Sequence, residues 1–415
     1  MYMARALTFK TPQDEIQMII HGQGVPQFYA ATEDNTLTFY DPQHKNGIQV
    51  RFTTGNVEVR RLPSNEPLVD PANKKGLTLG ATYWVSLDAQ NQRLTAGLGE
   101  ARIETTIYKY QLTHQDKPFL ESLTNIQVQN ATVFRLLRDP ITRRVPLIIR
   151  PTDDLSMDDI AGGKIVAKSH LTPTGQKLFN CVSGRNFILD APDFPDFSKA
   201  IERSIADPHG WCHKRLKEKS REFDKDHPNE LETYLRITIG ENNGESPGIP
   251  YVMEIWPPQH YSPIHNHGSS NAIIRVLHGE INVSLYPYLG AFVEPFASSG
   301  AGGLWQGKAE PFATTDFKKD DITWLSQNLN QIHKLTNTKK DTCITIQCYL
   351  YEEDDKGHYD YFDYLDGQGR KQQYEPDSDM DFVDFKERMK QEWIAALEQA
   401  KKPKRNILHV LTCKG

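Results

Sequence analysis

Short runs of alternating apolar and polar residues fill the first third of the chain, and turn-forming residues separate them. Alternation with a period of two is typical of strands that bury one face. The runs between Leu7 and about Leu147 are VPQFYA, NTLTFY, GIQVRFTT, VEVRRL, ATYWVSL, RLTAGLG, RIETTIYKYQL, ATVFRLL and VPLIIR. They predict an all-β domain over residues 1–150, a sandwich or a barrel. This part has no cluster of His, Cys or carboxylates at catalytic spacing, so we predict an accessory role of unknown kind.

The pattern then changes twice along the chain. Residues 151–193 are rich in Asp, Gly and Pro, as in RPTDDLSMDDIAGGK and LDAPDFPDF, and this composition predicts a linker. Helical periodicity follows from Ser198 to Phe223 and opens a second domain, predicted over residues 194–370. The amphipathic stretch FKERMKQEWIAALEQAKK predicts a helix within a C-terminal helix and tail, residues 371–415.

The run YLRITIG begins the strands of the second domain. Tyr234, Arg236 and Thr238 share one face of the predicted strand, and three apolar residues share the other. A polar face that looks at solvent is the ordinary interpretation. The alternative is a barrel whose interior holds a polar ligand.

Composition excludes several classes of protein. With 415 residues, 38% of them hydrophobic and 25% charged, the chain is globular and long enough for two domains. A net charge of -6 with dispersed Lys and Arg gives no indication of nucleic-acid binding. No apolar run approaches the roughly 20 residues of a membrane span, and the start has no signal-peptide core, so we expect a cytoplasmic protein without a membrane partner. The five cysteines form no disulfide pattern and are expected to be free thiols.

Two histidines, His265 and His267, lie two residues apart in SPIHNH, before a strand-turn-strand pattern. In a strand, residues i and i+2 project from the same face, so both imidazoles can contact one metal ion. His333, in WLSQNLNQIHKLTN, follows at a distance that allows an antiparallel sheet to return beside the pair. Because the chain has 14 histidines, a surface pair is the alternative. The histidines without matching partners, which we predict to be at the surface, are His260, His278 and His358.

The sequence around these histidines resembles the two cupin motifs. Gly279 lies twelve residues after His267, beyond the apolar run from Ala272 to Leu277, and Asn337 lies four residues after His333. The segments SPIHNH, RVLHGE and DDITWLSQNLNQIHKLTN resemble the cysteine dioxygenase family of thiol dioxygenases, over roughly Phe194 to Tyr351. The resemblance implies a mainly β protein with few helices, in which a C-terminal cupin β-barrel of the jelly-roll type follows the separate all-β N-terminal domain.

The resemblance also implies roles for further residues. Tyr234 and Arg236 match the family's Tyr-x-Arg element, which receives the substrate carboxylate, and Trp256 matches the family's tryptophan. The family's Ser-x-His-x-Tyr element, which orients oxygen and substrate, is matched by a trio of catalytic candidates, Thr345, Gln347 and Tyr349. In this trio a glutamine that cannot titrate replaces the family's histidine, which leaves the identity of the thiol open.

The cupin glutamate position falls in the uncharged segment GSSNA, Gly268 to Ala272, so three neutral imidazoles are expected to bind the metal. Such a site keeps the full charge of a divalent ion, which favours a thiolate ligand. We therefore expect iron, Fe²⁺, rather than redox-inactive zinc, and expect a dioxygenase that converts cysteine or a similar thiol to its sulfinate with O2. The alternatives are a zinc, manganese or nickel cupin that acts on a non-thiol substrate, such as an isomerase, and a thiol-binding sensor without turnover.

Overall fold

The alternating runs form strands in the computed structural model, which describes residues 6–73, 76–240, 250–289, 310–352 and 361–401. These strands are β1 (Ala6–Thr8), β2 (Glu15–Gln17), β3 (Gln23–Ala30), β4 (Asp34–Tyr40), β5 (Gly47–Thr53), β6 (Val57–Leu62), β7 (Glu66–Pro67), β8 (Thr82–Asp88), β9 (Arg93–Leu98), β10 (Thr106–Gln111), β11 (Asn125–Gln129), β12 (Ala131–Leu137), β13 (Ile148–Arg150), β14 (Ile165–Ala167), β15 (Leu235–Gly240), β16 (Tyr251–Trp256), β17 (Ile264–His265), β18 (Asn271–His278), β19 (Glu280–Leu285), β20 (Ala313–Lys318), β21 (Ile322–Leu325), β22 (His333–Thr336), β23 (Cys343–Leu350), β24 (Phe362–Leu365), β25 (Lys371–Tyr374) and β26 (Met380–Asp381).

Helices are fewer and mostly short. The α-helices of the described ranges are α1 (Lys117–Glu121), α2 (Met157–Gly162), α3 (Pro173–Val182), α4 (Phe197–Ala206), α5 (Trp211–Glu218) and α6 (Phe382–Lys401). None of these helices is both long enough and apolar enough to cross a membrane.

The N-terminal strands form a sandwich of two six-stranded antiparallel sheets. Their strand orders are β1-β12-β3-β8-β9-β10 and β2-β11-β4-β5-β6-β7. The inward-facing residues of both sheets meet in one core, in which Phe28 packs edge-on against Phe52 with ring centroids 5.1 Å apart. An all-β module at this end of the chain, predicted from the alternating runs, is thereby confirmed, and it is a sandwich.

The C-terminal strands form a jelly-roll barrel. Its two sheets have the orders β14-β13-β21-β18-β23-β16-β15-β26 and β20-β19-β22-β17-β24-β25. From β16 onward the chain crosses repeatedly from one sheet to the other, so that β17, β19, β22 and β24 lie opposite strands that precede or follow them in sequence. This double-stranded β-helix confirms the predicted fold class, mainly β with a cupin-type barrel behind a separate β module and with few helices.

The segment 151–193 is more than the predicted linker. It contains β14, which pairs with β13, and β13 in turn pairs with β21 at the edge of the eight-stranded sheet. Helix α3 buries Leu178 and Phe179 in the core against that sheet. The Asp, Gly and Pro residues around these elements dominate the composition of the segment and conceal the amphipathic pattern of α3. The division of the chain into domains at the predicted boundaries stays a prediction.

Helix α6, predicted from its amphipathic pattern, packs on the same outer face of the barrel sheet. Phe385 and Met389 are fully buried there, and the Phe385 ring contacts Phe197 of α4 at 5.9 Å. Just before the helix, Asp379 accepts a hydrogen bond from the backbone N–H of Arg236 at 2.7 Å. The end of the described chain thus supports strand β15.

A buried arginine joins the sandwich to the barrel. Arg102, between β9 and β10, is 1% exposed and donates to Asn330 Oδ1 of the barrel at 2.8 Å and to Glu104 at 3.0 Å. Its neighbour Glu100 accepts a hydrogen bond from the backbone N–H of Gln331 at 3.0 Å. Burial raises the pKa of Glu100, and the nearby Arg102 opposes that shift. The loop that precedes β22 is therefore held from the N-terminal side of the chain.

Candidate metal centre

Three histidines converge inside the barrel. Strand β17 ends at His265, and β22 begins at His333, its directly opposite residue in the antiparallel pair. His267 lies in the loop beyond β17, so the pair sits at a strand end rather than within one strand. The ring centroids are 4.9 Å apart for His265 and His267, 4.7 Å for His265 and His333, and 4.5 Å for His267 and His333. The potential ligand atoms all lie within 4.8 Å of one another.

Backbone carbonyls orient two of these rings. His265 Nδ1 lies 3.0 Å from the carbonyl oxygen of Pro263, and His267 Nδ1 lies 3.2 Å from that of Gln331. A carbonyl only accepts, so each Nδ1 must donate, and each Nε2 keeps its lone pair for a metal ion. The Gln331 side chain fixes the same loop, since it donates to Ser270 O at 2.8 Å and accepts from Ser269 N–H at 3.0 Å.

The histidines are neutral. Burial lowers the pKa of His265 to about 4 and that of His267 to about 3, and it lowers the pKa of His333 well below its ordinary value. Neutral imidazoles are the form that binds metal. Three nitrogen donors without a carboxylate suit a divalent ion such as Fe, Zn, Cu or Ni. The cluster therefore has the donors, the protonation state and the ring orientation that a metal centre requires.

The cavity beside the cluster contains five of the six other predicted site residues, namely Tyr234, Arg236, Trp256, Gln347 and Tyr349. The sixth, Thr345, does not line it, although it is fully buried and lies 3.4 Å from the Gln347 amide. The rest of the lining is mostly aromatic and apolar and comprises Phe223, Glu254, Pro263, Leu335, Phe362, Tyr364 and Tyr374, together with the three histidines.

Two of the three residues on the predicted polar face, Tyr234 and Arg236, line this cavity, and Thr238 does not. Arg236 lines the cavity, while Leu235 and Ile237, on the opposite face, are fully buried in the core beneath α6. Tyr234, just before the strand, stacks on Trp256 with ring centroids 4.3 Å apart. The Trp256 indole N–H is buried without a hydrogen-bond partner in the described part of the chain. Trp256, a lining residue, thus keeps a donor that no described residue uses.

A buried carboxylate that sequence analysis missed also lines the cavity. Glu254 of β16 is 5% exposed and lies opposite Arg236 in the β15–β16 pair, with Oε1 3.6 Å from Arg236 Nη1. Burial raises its pKa to about 7, although Arg236 and the Gln347 amide favour the ionised form. The sequence did contain one indication of this residue, because Glu254 is the single charged residue in the strand YVMEIW.

A hydrogen-bonded chain connects the last barrel strand to this carboxylate. The Tyr349 hydroxyl donates to Gln347 Oε1, and Gln347 Nε2 donates to Glu254 Oε2. Tyr349 also stacks on His267, with the planes 14° apart. Burial raises the pKa of Tyr349 above its ordinary value, so the phenol keeps its proton at neutral pH.

Two of the three histidines predicted to be at the surface have defined partners instead. His260 is only partly exposed, and its Nδ1 lies 2.9 Å from Thr233 O. His278 Nε2 lies 3.0 Å from a carboxylate oxygen of Glu202 on α4. Both side chains are partly buried, so the surface prediction is incomplete for both, because each ring contacts an acceptor of its own. His358 lies outside the described residues.

Ala272 is the directly opposite residue of Tyr349 in the β18–β23 pair. A cysteine at this position could form a thioether with the tyrosine ring. We expect Tyr349 to remain unmodified in protein expressed with iron and thiol, because the opposite residue here has no sulfur. Peptide mass mapping checks this, and a linked peptide pair lighter by two hydrogens would contradict it.

The nearest sulfurs do not change that expectation. Cys348 is fully buried on the other face of β23, with its sulfur 3.5 Å from Leu178 O. Cys343 lies six residues from Tyr349, which corresponds to roughly 20 Å along a strand.

Comparison with known proteins finds only partial similarity, and no family model matches this sequence. The cupin domain of Cnp3 from Schizosaccharomyces pombe is 12% identical, over 29% of this chain and 65% of that chain, with a TM-score of 0.20. An oxalate oxidase in complex with the substrate analogue glycolate is 14% identical, over 28% of this chain and 51% of that chain, with a TM-score of 0.21. A cupin-superfamily sugar phosphate isomerase from Silicibacter pomeroyi is 11% identical, over 35% and 78% of the two chains, with a TM-score of 0.20. The first two matches span less than two thirds of those proteins' length.

Proposed function

We propose that this chain is an iron(II)-dependent thiol dioxygenase that oxidises cysteine, or a similar small thiol with a carboxylate, to its sulfinate with O2. One observation carries the proposal: an all-histidine cluster and the guanidinium of Arg236 line the same enclosed cavity. A substrate with a thiolate at one end and a carboxylate at the other would complement a divalent ion on the neutral histidines and the guanidinium of Arg236.

The ligand set supports a thiolate. His265, His267 and His333 are all neutral, so they leave the charge of a divalent ion uncompensated. An anionic sulfur ligand lowers that charge, and the resulting attraction favours ionisation of the thiol. Iron bound there would supply the redox chemistry that activates dioxygen, which zinc does not have.

Arg236 supports a carboxylate. Its side chain is 12% exposed, and it lies 3.6 Å from Glu254, a distance longer than a hydrogen bond. Its planar fork therefore remains able to donate to a second carboxylate in bidentate geometry. The stacked rings of Tyr234 and Trp256 beside it exclude water from the pair.

The reaction balances without another reductant. A thiol and one molecule of O2 give a sulfinic acid, in which both oxygen atoms are bonded to sulfur and the thiol proton is released from the ionised acid. Sulfur loses four electrons and dioxygen gains four. Tyr349 and Gln347 are the residues that we propose to position the reacting groups, since both line the cavity and the phenol keeps its proton. Thr345, which does not line it, would act through its contact with Gln347.

A cytoplasmic location forms part of the same proposal. Small thiols stay reduced there, and the described cysteines Cys181, Cys212, Cys343 and Cys348 are all free.

The test of this function is metal analysis combined with oxygen uptake. The purified protein should contain iron, and cysteine should start oxygen consumption with one sulfinate formed per O2. A panel of thiols in an oxygen electrode then ranks the substrates. Zinc, manganese or nickel with no thiol-dependent uptake would point to a cupin with a non-thiol substrate, and full iron content with thiol binding but no uptake would point to a sensor.

Substitution of Arg236 by alanine should raise KM for cysteine steeply, because a buried charge-assisted pair contributes about 2 to 5 kcal/mol. Arg236→Lys should recover only part of this loss, since lysine keeps the charge but not the fork. Steady-state kinetics measures both. Arg370→Lys, in an ion pair with Asp366 outside the cavity, is the matched control and should behave as wild type. Cysteamine turned over as well as cysteine would contradict this role.

A further inference from the structure

The cavity contains both signs of charge, side by side. Arg236 and Glu254 are directly opposite residues of adjacent strands, and both side chains reach the cavity that contains the three histidines. Within the lining that the structure describes, Glu254 is the single carboxylate. A site that had only to bind a carboxylate and a thiolate would have no use for an anion at this position, because the anion repels both.

Glu254 is not simply a clamp for Arg236. Its Oε1 is 3.6 Å from Arg236 Nη1, which is close enough for attraction and too far for a good hydrogen bond. Its Oε2 accepts one hydrogen bond from Gln347 Nε2. A carboxylate has about four acceptor positions, so Glu254 keeps the capacity to accept from a ligand.

We propose that Glu254 selects the substrate by binding its protonated amine, so that the cavity takes a zwitterionic aminothiol of the amino-acid class. This inference rests on the thiol chemistry proposed above. The ammonium and the carboxylate of such a molecule are adjacent to each other, as Glu254 and Arg236 are in the cavity. In such a complex the substrate carboxylate pairs with Arg236, and the substrate ammonium pairs with Glu254.

Burial supports this assignment. Glu254 is 5% exposed, and an ionised carboxylate at such a depth is costly unless a cation and hydrogen bonds compensate it. Arg236 compensates it only partly, since burial raises the pKa of Glu254 to about 7 despite the guanidinium. When a substrate carboxylate engages Arg236, that compensation weakens further. A substrate ammonium restores it, whereas a thiol acid without an amine leaves two carboxylates facing one guanidinium.

The experiment measures binding by calorimetry under nitrogen, with the full chain and the metal that it carries when purified, so that no turnover occurs. The ligands are L-cysteine and 3-mercaptopropionate, which is the same thiol acid without its amine. Wild-type protein should bind cysteine about 10- to 100-fold more tightly, the range expected for a charge-assisted hydrogen bond. Glu254→Gln has the same shape without the charge and should bring the ratio of the two dissociation constants close to one.

Glu222→Gln is the matched control. Glu222 does not line the cavity, and it accepts from the hydroxyl of the lining residue Tyr374. Glu222→Gln therefore removes a charge outside the cavity and keeps an amide oxygen that can accept the same hydrogen bond. It should keep the wild-type preference. Since the preference of the wild-type protein is itself a prediction, the proposal is tested even if Glu254→Gln fails to fold.

The outcomes separate the two proposals. If both thiols bind and Glu254→Gln leaves their ratio unchanged, or if wild-type protein prefers 3-mercaptopropionate, the ammonium assignment is wrong and the dioxygenase proposal stands. If neither thiol binds the metal-loaded protein, both proposals are wrong. A ratio that collapses in Glu254→Gln and persists in Glu222→Gln supports the assignment, whether or not oxygen is later consumed.

Discussion

Replacement of His333 by alanine should strip most of the metal from the purified protein and abolish its activity. The three imidazoles are the complete ligand set of the described cluster, and the loss of one leaves two neutral donors. Loss of a residue that merely supports a ligand costs about 10- to 100-fold in metal affinity, so loss of a ligand should cost more. His265→Ala and His267→Ala should behave alike, and metal analysis by mass spectrometry measures all three.

His260→Ala and His278→Ala are the controls for this prediction. Both are partly buried histidines with partners of their own, Thr233 and Glu202, outside the cavity. Their variants should keep stoichiometric metal. Stoichiometric iron in His333→Ala would overturn the three-histidine assignment and would require another ligand.

The second large effect is on stability. Arg102→Ala should reduce the free energy of unfolding by about 3 to 5 kcal/mol, because it leaves buried carboxylates without their cation. Glu100 and Glu104 are its ion-pair partners, at 3.4 Å and 3.0 Å, and the side chain of Glu100 is only 10% exposed. Urea unfolding, followed by fluorescence, measures the loss.

Arg138→Ala is the control for the stability prediction. Arg138 pairs with Asp139 at 2.8 Å, but the two side chains are 29% and 43% exposed. Solvent screens such exposed pairs, so they contribute little to stability, and this variant should unfold almost as wild type. Equal and small losses in both variants would show that the contact between sandwich and barrel contributes little.

Sequence spacing was sufficient for the histidine cluster. His265 and His267 are fixed by chain connectivity within one short segment, and the register of an antiparallel barrel then brings His333 opposite the first of them. For Tyr234 and Arg236, alternation along a strand predicted a shared face, whereas the resemblance to a known family implied their role in substrate binding. Local periodicity and a known motif carry this kind of information well.

Glu254 is a site residue that sequence spacing could not predict. One carboxylate in an apolar strand has no partner in its own segment, and its meaning depends on the pairing of β16 with β15, which places it beside Arg236. Thr345 lies beside Gln347, as period-two alternation predicts, but it does not line the cavity, which alternation alone does not show. Which charged residues pair across strands, and which side chains line a cavity, depend on the assembled barrel.

The loop before β22 contacts both the histidine cluster and the N-terminal sandwich. Gln331 accepts from His267, 64 residues earlier in the sequence, and binds Glu100 of the sandwich, which is 231 residues earlier. Contacts of such long range form slowly, after loop closure has been offset by many other contacts. The sandwich precedes β22 in the chain, so Glu100 is synthesised before its partner Gln331. The ligand cluster is complete only when these distant segments have come together, so an ion that binds only there would stabilise the whole fold, by about 2.7 kcal/mol when its free concentration is 100 times its dissociation constant.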